Sequence, residues 1–310
     1  MNSVALIGVP SSLGGLPLGS ERGPEALRRA GLVARLRAAG LEVADLGDVP
    51  VPDGRLHRSR YSGDDLAPFE SVARWVAKYA WRAHAEGMVP LLIGGDHSAA
   101  IGSIAASAQS VPGVGIVWVD AHPDFNTPET TPSGNIHGMV LAIAAGHGPA
   151  PLARLAGFTP MVHPERIVVI GARRVDAGER NNLREAGVRV YGAEHIERHG
   201  VRATVGEAVA YLAANQVRAI HLSVDLDVLD PAGWPGVSTP AEGGLTAEEV
   251  SLVAAIVADT APIAAMDLVE LTPVQDTADV TARAGIEIAI AALAGPSRST
   301  SGLQQGRSTA

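Results

Sequence analysis

Eight short apolar runs punctuate the chain, at about residues 4–9, 42–47, 89–93, 115–120, 166–171, 188–190, 219–225 and 263–268. Most are apolar along their whole length rather than alternating, the pattern of strands buried on both faces of a parallel sheet. Helix-length segments lie between most of them. Glu25–Ala39 opens at Gly23-Pro24 and closes before Gly40, the usual asymmetry of proline in and glycine out. Phe69–Ala85, Ala99–Gln109, Ala203–Ala214 and Glu248–Asp259 read the same way. Strand–helix alternation predicts an α/β fold with a parallel sheet covered on both faces. No Gly/Ser linker divides the chain, so residues 1–295 are expected to form a single domain. Residues 296–310, rich in Ser, Thr, Gln and Gly, are expected to be a disordered tail.

Two of the runs end in acidic clusters. Asp120-Ala121-His122-Pro123-Asp124 follows Val114–Val119, and Asp225-Leu226-Asp227 follows Ala219–Val224. Side chains two apart on a strand point to the same side. Asp120, His122 and Asp124 are therefore expected to converge, as are Asp225 and Asp227. A third run, Val89–Ile93, leads into Gly94-Gly95-Asp96-His97-Ser98, which adds His97. A single Asp-x-Asp pair is usually a turn or a cap. Four carboxylates buried near one another without cations are a different matter, because each would cost several kcal/mol. Mixed Asp/His ligation with no cysteine favours manganese-like ions over a thiolate zinc site. The set exceeds what one small ion needs and predicts a two-metal hydrolase.

The whole chain narrows the alternatives. It has 310 residues, 46% of them hydrophobic and 18% charged, which describes a well-cored protein. A formal net charge of −9 without any Lys/Arg cluster argues against a nucleic-acid partner. The absence of cysteine excludes a disulfide framework and a thiol nucleophile and fits a cytoplasmic enzyme. No run is long enough to span a membrane, and the first residues lack the charged start and long apolar stretch of a signal peptide. Gly14, Gly15 and Gly19 match no nucleotide-binding loop. Two long loops, 121–136 and 228–245, follow the acidic clusters directly; at the carboxyl edge of a parallel sheet such loops wall a substrate pocket.

With GGDHS, DAHPDFNTPETTPSGNIHGM, SVDLDVLDP, STPAEGGLT and DLVELTP in this order, the chain resembles the arginase branch of the ureohydrolase family. The resemblance runs from Val4-Ala5-Leu6-Ile7-Gly8-Val9-Pro10 and Arg22-Gly23-Pro24 to Glu270. It implies a three-layer α/β/α domain with an eight-stranded parallel sheet, two Mn²⁺ per subunit, and hydrolysis of a guanidino group to urea and an amine. Carried over by motif, His97, Asp120, Asp124 and Asp227 would hold one ion or bridge the pair. His122 and Asp225, with the shared carboxylates, would complete the other. Glu270 matches the carboxylate that grips the guanidinium, Thr239 is a weaker candidate for the pocket wall, and His137 matches a non-ligand histidine that shuttles a proton or orients substrate. The resemblance also implies a homotrimer or homohexamer. His57, His84, His147, His163, His195, His199 and His221 match no motif and read as ordinary surface or core residues.

The chemistry suits these residue types. A guanidinium carbon is a poor electrophile and neutral water a poor nucleophile, but two cations sharing one water lower its pKa to roughly 7 and yield a bridging hydroxide. The far end of the substrate meets other groups. Asn126, Thr131 and Ser133 match a polar loop for an α-carboxylate; Asp176 and Glu179 match acidic residues for an α-amino group, although their spacing also suits a helix cap. Agmatine has no carboxylate for the first set, so L-arginine is the expected substrate. Arg174 and Val140 depart from the family pattern, and Trp234 falls where it would reshape the pocket rim, which leaves agmatine, N-hydroxyarginine and related guanidino acids open as alternative substrates. The competing class, a silent binding protein on the same fold, would normally have lost ligands, and all six are present.

Overall fold

In a computed structural model of the protein, residues 3–16, 18–52 and 66–295 are described. His57 and the tail 296–310 lie outside them. Eight strands form one sheet: β1 (Ser3–Val9), β2 (Glu42–Asp48), β3 (Val89–Gly94), β4 (Val114–Val119), β5 (Ile167–Ile170), β6 (Arg189–Tyr191), β7 (Ala219–Asp225) and β8 (Ile263–Val269). All pairings are parallel, and the spatial order is β2-β1-β3-β8-β7-β4-β5-β6. Each strand falls where an apolar run predicts one.

The sheet is covered on both faces, making three layers. On β4, Val117 and Val119 face a core shared with helices Val201–Ala214, Ala247–Thr260 and Val280–Leu293. Ile116 and Trp118 face the opposite core, with helix Ala100–Ser110. Burial on both sides explains why the runs show no polar alternation.

One helical expectation needs correction. Glu25–Ala39 is two helices, Gly23–Arg29 and Leu32–Ala38, because Gly31 adopts a left-handed φ of 94° between them. Helix Ala177–Ala186 begins at the Asp176/Glu179 cap. Helix Val280–Leu293 has no counterpart in the sequence pattern, because it is buried over most of its length, which erases the amphipathic stripe that periodicity detects.

The order of the central strands positions the site. β3, β8, β7 and β4 are neighbours, and their carboxyl ends carry His97, Glu270, Asp225 and Asp120 in turn. Just past β3 the chain passes so close to Ser11 that Gly95 has no room for a side chain; an added Cβ would overlap the Ser11 carbonyl oxygen. Gly95→Ala is therefore expected to destabilise the fold by about 1–3 kcal/mol, the usual cost of overpacking. Urea denaturation checks this, and an unchanged midpoint would show that the crossing tolerates a methyl group.

Candidate metal centre

Six side chains meet beyond the carboxyl ends of β3, β4 and β7, as the sequence predicts. Asp120 continues the strand parity of Trp118, whose indole N–H donates to Asp120 Oδ2 at 3.0 Å. Asp120 Oδ1 accepts the His122 backbone N–H at 2.6 Å, which turns the chain. Asp225 Oδ1 accepts the Asp227 N–H at 2.8 Å and makes the same kind of turn after β7. Arg173 clamps that turn from outside, donating to the carbonyl oxygens of Asp227 at 2.8 Å, Val228 at 3.1 Å and Ala241 at 2.8 Å. Its role was not read from the sequence. Asp124 and Glu270 both sit in the left-handed region, at φ 49° and 65°, a conformation that costs non-glycine residues energy and recurs at functional sites.

Five of the six donors form two groups that share Asp120: His97, Asp120 and Asp225, and Asp120, His122 and Asp227, with Asp124 beside the first. Within each, the ligand atoms lie within 4.8 Å of one another. This grouping differs from the motif carry-over, since Asp225 sides with His97 and Asp227 with His122. His97 Nδ1 lies 3.1 Å from Asp120 Oδ2, 3.2 Å from Asp225 Oδ2 and 3.4 Å from Asp124 Oδ2. It nevertheless makes no directed hydrogen bond among the described residues. His122 Nδ1 is 2.9 Å from Asp227 Oδ2, and Thr239 donates to the same oxygen at 2.7 Å.

The charges do not balance among the side chains alone. Burial, reinforced by neighbouring carboxylates, pushes Asp124 and Asp225 well above the usual carboxylate range. Burial also acts on Asp120, but the adjacent His122 and His97 imidazoles overcome it and hold that carboxyl low. Burial pulls the His122 and His97 imidazoles down, and their carboxylate neighbours reverse this and raise both. Crowded buried oxygens around an undirected imidazole nitrogen are the donor set of hard or borderline divalent cations. The residues fit a metal centre.

A cavity of about 470 Å³ opens onto this cluster. Asn126, Thr131, Ser133, His137, Asp176, Glu179 and Thr239 all line it. Asn126 Nδ2 donates to Asp176 Oδ2 at 3.0 Å, which joins the two loops. Arg174 lines the cavity as well, although the sequence marked it only as a departure. Trp234 does not line it; the indole packs half-buried against the core instead. Glu270 lies behind the wall, 1% exposed, where its Oε1 accepts the His97 N–H at 2.9 Å and meets His137 Nδ1 at 3.0 Å. Burial favours the neutral form of both partners, and their mutual contact overcomes it, lowering Glu270 and raising His137. Asp96, overlooked within GGDHS, is buried and anchors the first loop by accepting N–H groups of Gly14 at 2.8 Å and Gly15 at 3.1 Å.

A family model for the arginase family matches residues 2–295. The chain is 40% identical to an arginase of Bacillus subtilis (strain 168) over 290 residues, 92% of this chain and 96% of that one. It is 39% identical to an arginase of Bacillus caldovelox over 292 residues, covering 93% and 97%. The native crystal structure of Bacillus caldovelox arginase superposes with a TM-score of 0.89 at 37% identity, covering 94% and 98%.

Glu179 combines the two readings that its sequence position allowed. It caps helix Ala177–Ala186 by accepting the Asp176 N–H at 3.1 Å, and it also accepts the Phe125 N–H at 2.8 Å. Burial pushes its carboxyl up to about 7, against the pull of those two N–H groups. A folded-state pKa above the unfolded value means the native state holds the extra proton. The associated stability is present below the unfolded pKa, near 4.5, and is lost as pH rises through about 7. At roughly 1.4 kcal/mol per unit this amounts to about 3 kcal/mol at most. Glu179→Gln should remove that loss, so its unfolding free energy relative to wild type should rise between pH 5 and pH 8. A pH-independent difference would show that Glu179 does not titrate there.

Proposed function

The chain belongs to the arginase family, a family of metal-dependent hydrolases acting on guanidino compounds, and on that premise we propose that it converts L-arginine to urea and L-ornithine. The observation that carries this reading is the shared-carboxylate pair of His/Asp groups opening onto one cavity with polar and acidic walls. We assign the six donors His97, Asp120, His122, Asp124, Asp225 and Asp227 to two manganese ions. When bound, the cations supply Lewis acidity that brings the pKa of a water molecule toward roughly 7.

The remaining residues position and discharge the substrate. Asp124 and Asp225 line the cavity a guanidinium would enter. The four carboxylates of the centre would offset the charge of the bound cations so that a cationic substrate can approach, with Glu270 adding negative charge from behind His137. Asn126, Thr131 and Ser133 receive the α-carboxylate, while Asp176 and Glu179 receive the α-amino group. Thr239 holds Asp227 by its 2.7 Å hydrogen bond while lining the wall. Water adds to the guanidinium carbon, the bond from that carbon to the side-chain nitrogen breaks, and the amine leaves with a proton. His137 Nδ1 is engaged by Glu270, so Nε2 is the atom that passes this proton. We further propose a homotrimer or homohexamer with one catalytic domain per chain, at work in the cytoplasm. A cysteine-free chain and the absence of any described helix long and apolar enough to cross a membrane agree with that setting.

Chelation should abolish urea release and manganese should restore it. Asp227→Ala should lose bound metal together with turnover, whereas Glu270→Ala should keep the metal and lose substrate recognition. Metal analysis alongside a urea assay separates these outcomes, and full activity of a verified metal-free preparation would overturn the mechanism. L-arginine should also outperform agmatine. Of the loop groups Asn126 is buried, Thr131 half-buried and Ser133 exposed, so the loss is set mainly by one buried polar group at about 1–3 kcal/mol, which predicts roughly 10- to 10²-fold lower kcat/KM for agmatine. Equal turnover of the two would refute the substrate while leaving the metal chemistry standing.

A further inference from the structure

A chain of buried polar side chains runs beneath His97, away from the cavity. His97 Nε2 lies 2.9 Å from Ser223 Oγ, and Ser223 Oγ donates to Asp267 Oδ2 at 3.2 Å. His221 Nε2 reaches the same oxygen at 2.7 Å, and Ser107 Oγ lies 2.9 Å from His221 Nδ1. All five side chains are fully buried. The sheet dictates the arrangement. His221 and Ser223 share one face of β7, and Ser223 stands in register with Asp267 on β8. Asp267 Oδ1 has no partner among the described residues, so this carboxylate acts through Oδ2.

Donor and acceptor capacity then determine the protons. A carboxylate only accepts, so Ser223 and His221 both donate to Asp267. A serine hydroxyl has one proton. With that proton committed to Asp267, the Ser223 oxygen can only accept from His97, which places the His97 proton on Nε2. In the neutral imidazole that a cation would require, the Nδ1 lone pair is left facing Asp120, Asp124 and Asp225. We propose that Asp267 is a positioning residue that fixes the tautomer of His97 through Ser223 and so presents Nδ1 to a cation. His221 holds Asp267 in place from the other side. Without an acceptor at position 267, the Ser223 hydroxyl turns and donates to His97 Nε2, and the proton moves to the atom meant for the metal. Supporting partners of this kind typically change metal affinity by about 10- to 100-fold.

The inference rests on the metal-centre reading, and a double-mutant cycle separates the two. Manganese affinity is measured by chelator competition on the whole chain, with thermal unfolding recorded for each variant. Asp267→Leu removes the acceptor and should weaken manganese binding about 10- to 100-fold. Asp267→Asn, whose carbonyl oxygen can take the same two protons, should recover most of it. In a Ser223→Ala background, Asp267→Leu should cost little more, because the route to His97 is already cut. Asp267→Ala replaces the leucine variant if the latter does not fold. A loss that persists undiminished in the Ser223→Ala background, or an asparagine variant no better than leucine, overturns the inference and leaves the metal centre intact. A wild-type protein that binds no manganese overturns both.

Discussion

Like charges crowded into a space without water govern this molecule. Asp120, Asp124, Asp225, Asp227 and Glu270 are all at least nine-tenths buried around the ends of four neighbouring strands. Such a cluster is unfavourable unless each oxygen is satisfied. Much of the local structure serves that end. Backbone N–H groups of Ala121, His122 and Asp227 point at the carboxylates, Trp118 and Thr239 donate to them, and Glu270 takes both the His97 N–H and the His137 ring. Donors of this kind orient the oxygens but do not cancel the negative charge of five carboxylates, and the three imidazoles of His97, His122 and His137 do so only in part. The deficit is the physical argument for divalent cations.

The same constraint explains where irregular backbone is tolerated. Asp124 and Glu270 adopt left-handed conformations that point their side chains inward. Arg173 supports the turn after β7 from outside by binding carbonyl oxygens, so its charge is used on backbone and never enters the cavity. Trp118 serves twice, since its ring stacks on His97 with centroids 3.9 Å apart while its N–H holds Asp120.

Legibility in the sequence followed the kind of signal involved. The eight strands were plain because full burial makes each a continuous apolar run, and the donors were plain because strand parity carries over into the first turn beyond β4 and β7. Helix Val280–Leu293 was hidden because burial on several sides removes its stripe, and the break at Gly31 because glycine inside a helical pattern is compatible with either outcome. Arg173, Asp96, Ser223 and Asp267 were hidden for a different reason. Their partners are 54, 82, 126 and 44 residues away, so no local spacing relates them. The spacing of Asp176 and Glu179 suits either a cap or a pocket wall, and Glu179 is both, because the cap itself faces the cavity.

The interleaved strand order has a consequence for how the protein comes to be. β3 neighbours β8, and β4 neighbours β7, so the groups around the centre are drawn from residues 97 to 270 and meet only when the middle of the sheet closes. Contacts so distant along the chain form late and make folding slow. A nascent or partly folded chain offers a cation scattered carboxylates rather than a site. A metal ion would therefore act as a seal on the finished architecture and not as a seed for it. Binding only the complete form, a divalent cation would stabilise that form by mass action, and a cell short of that metal would hold a more fragile protein.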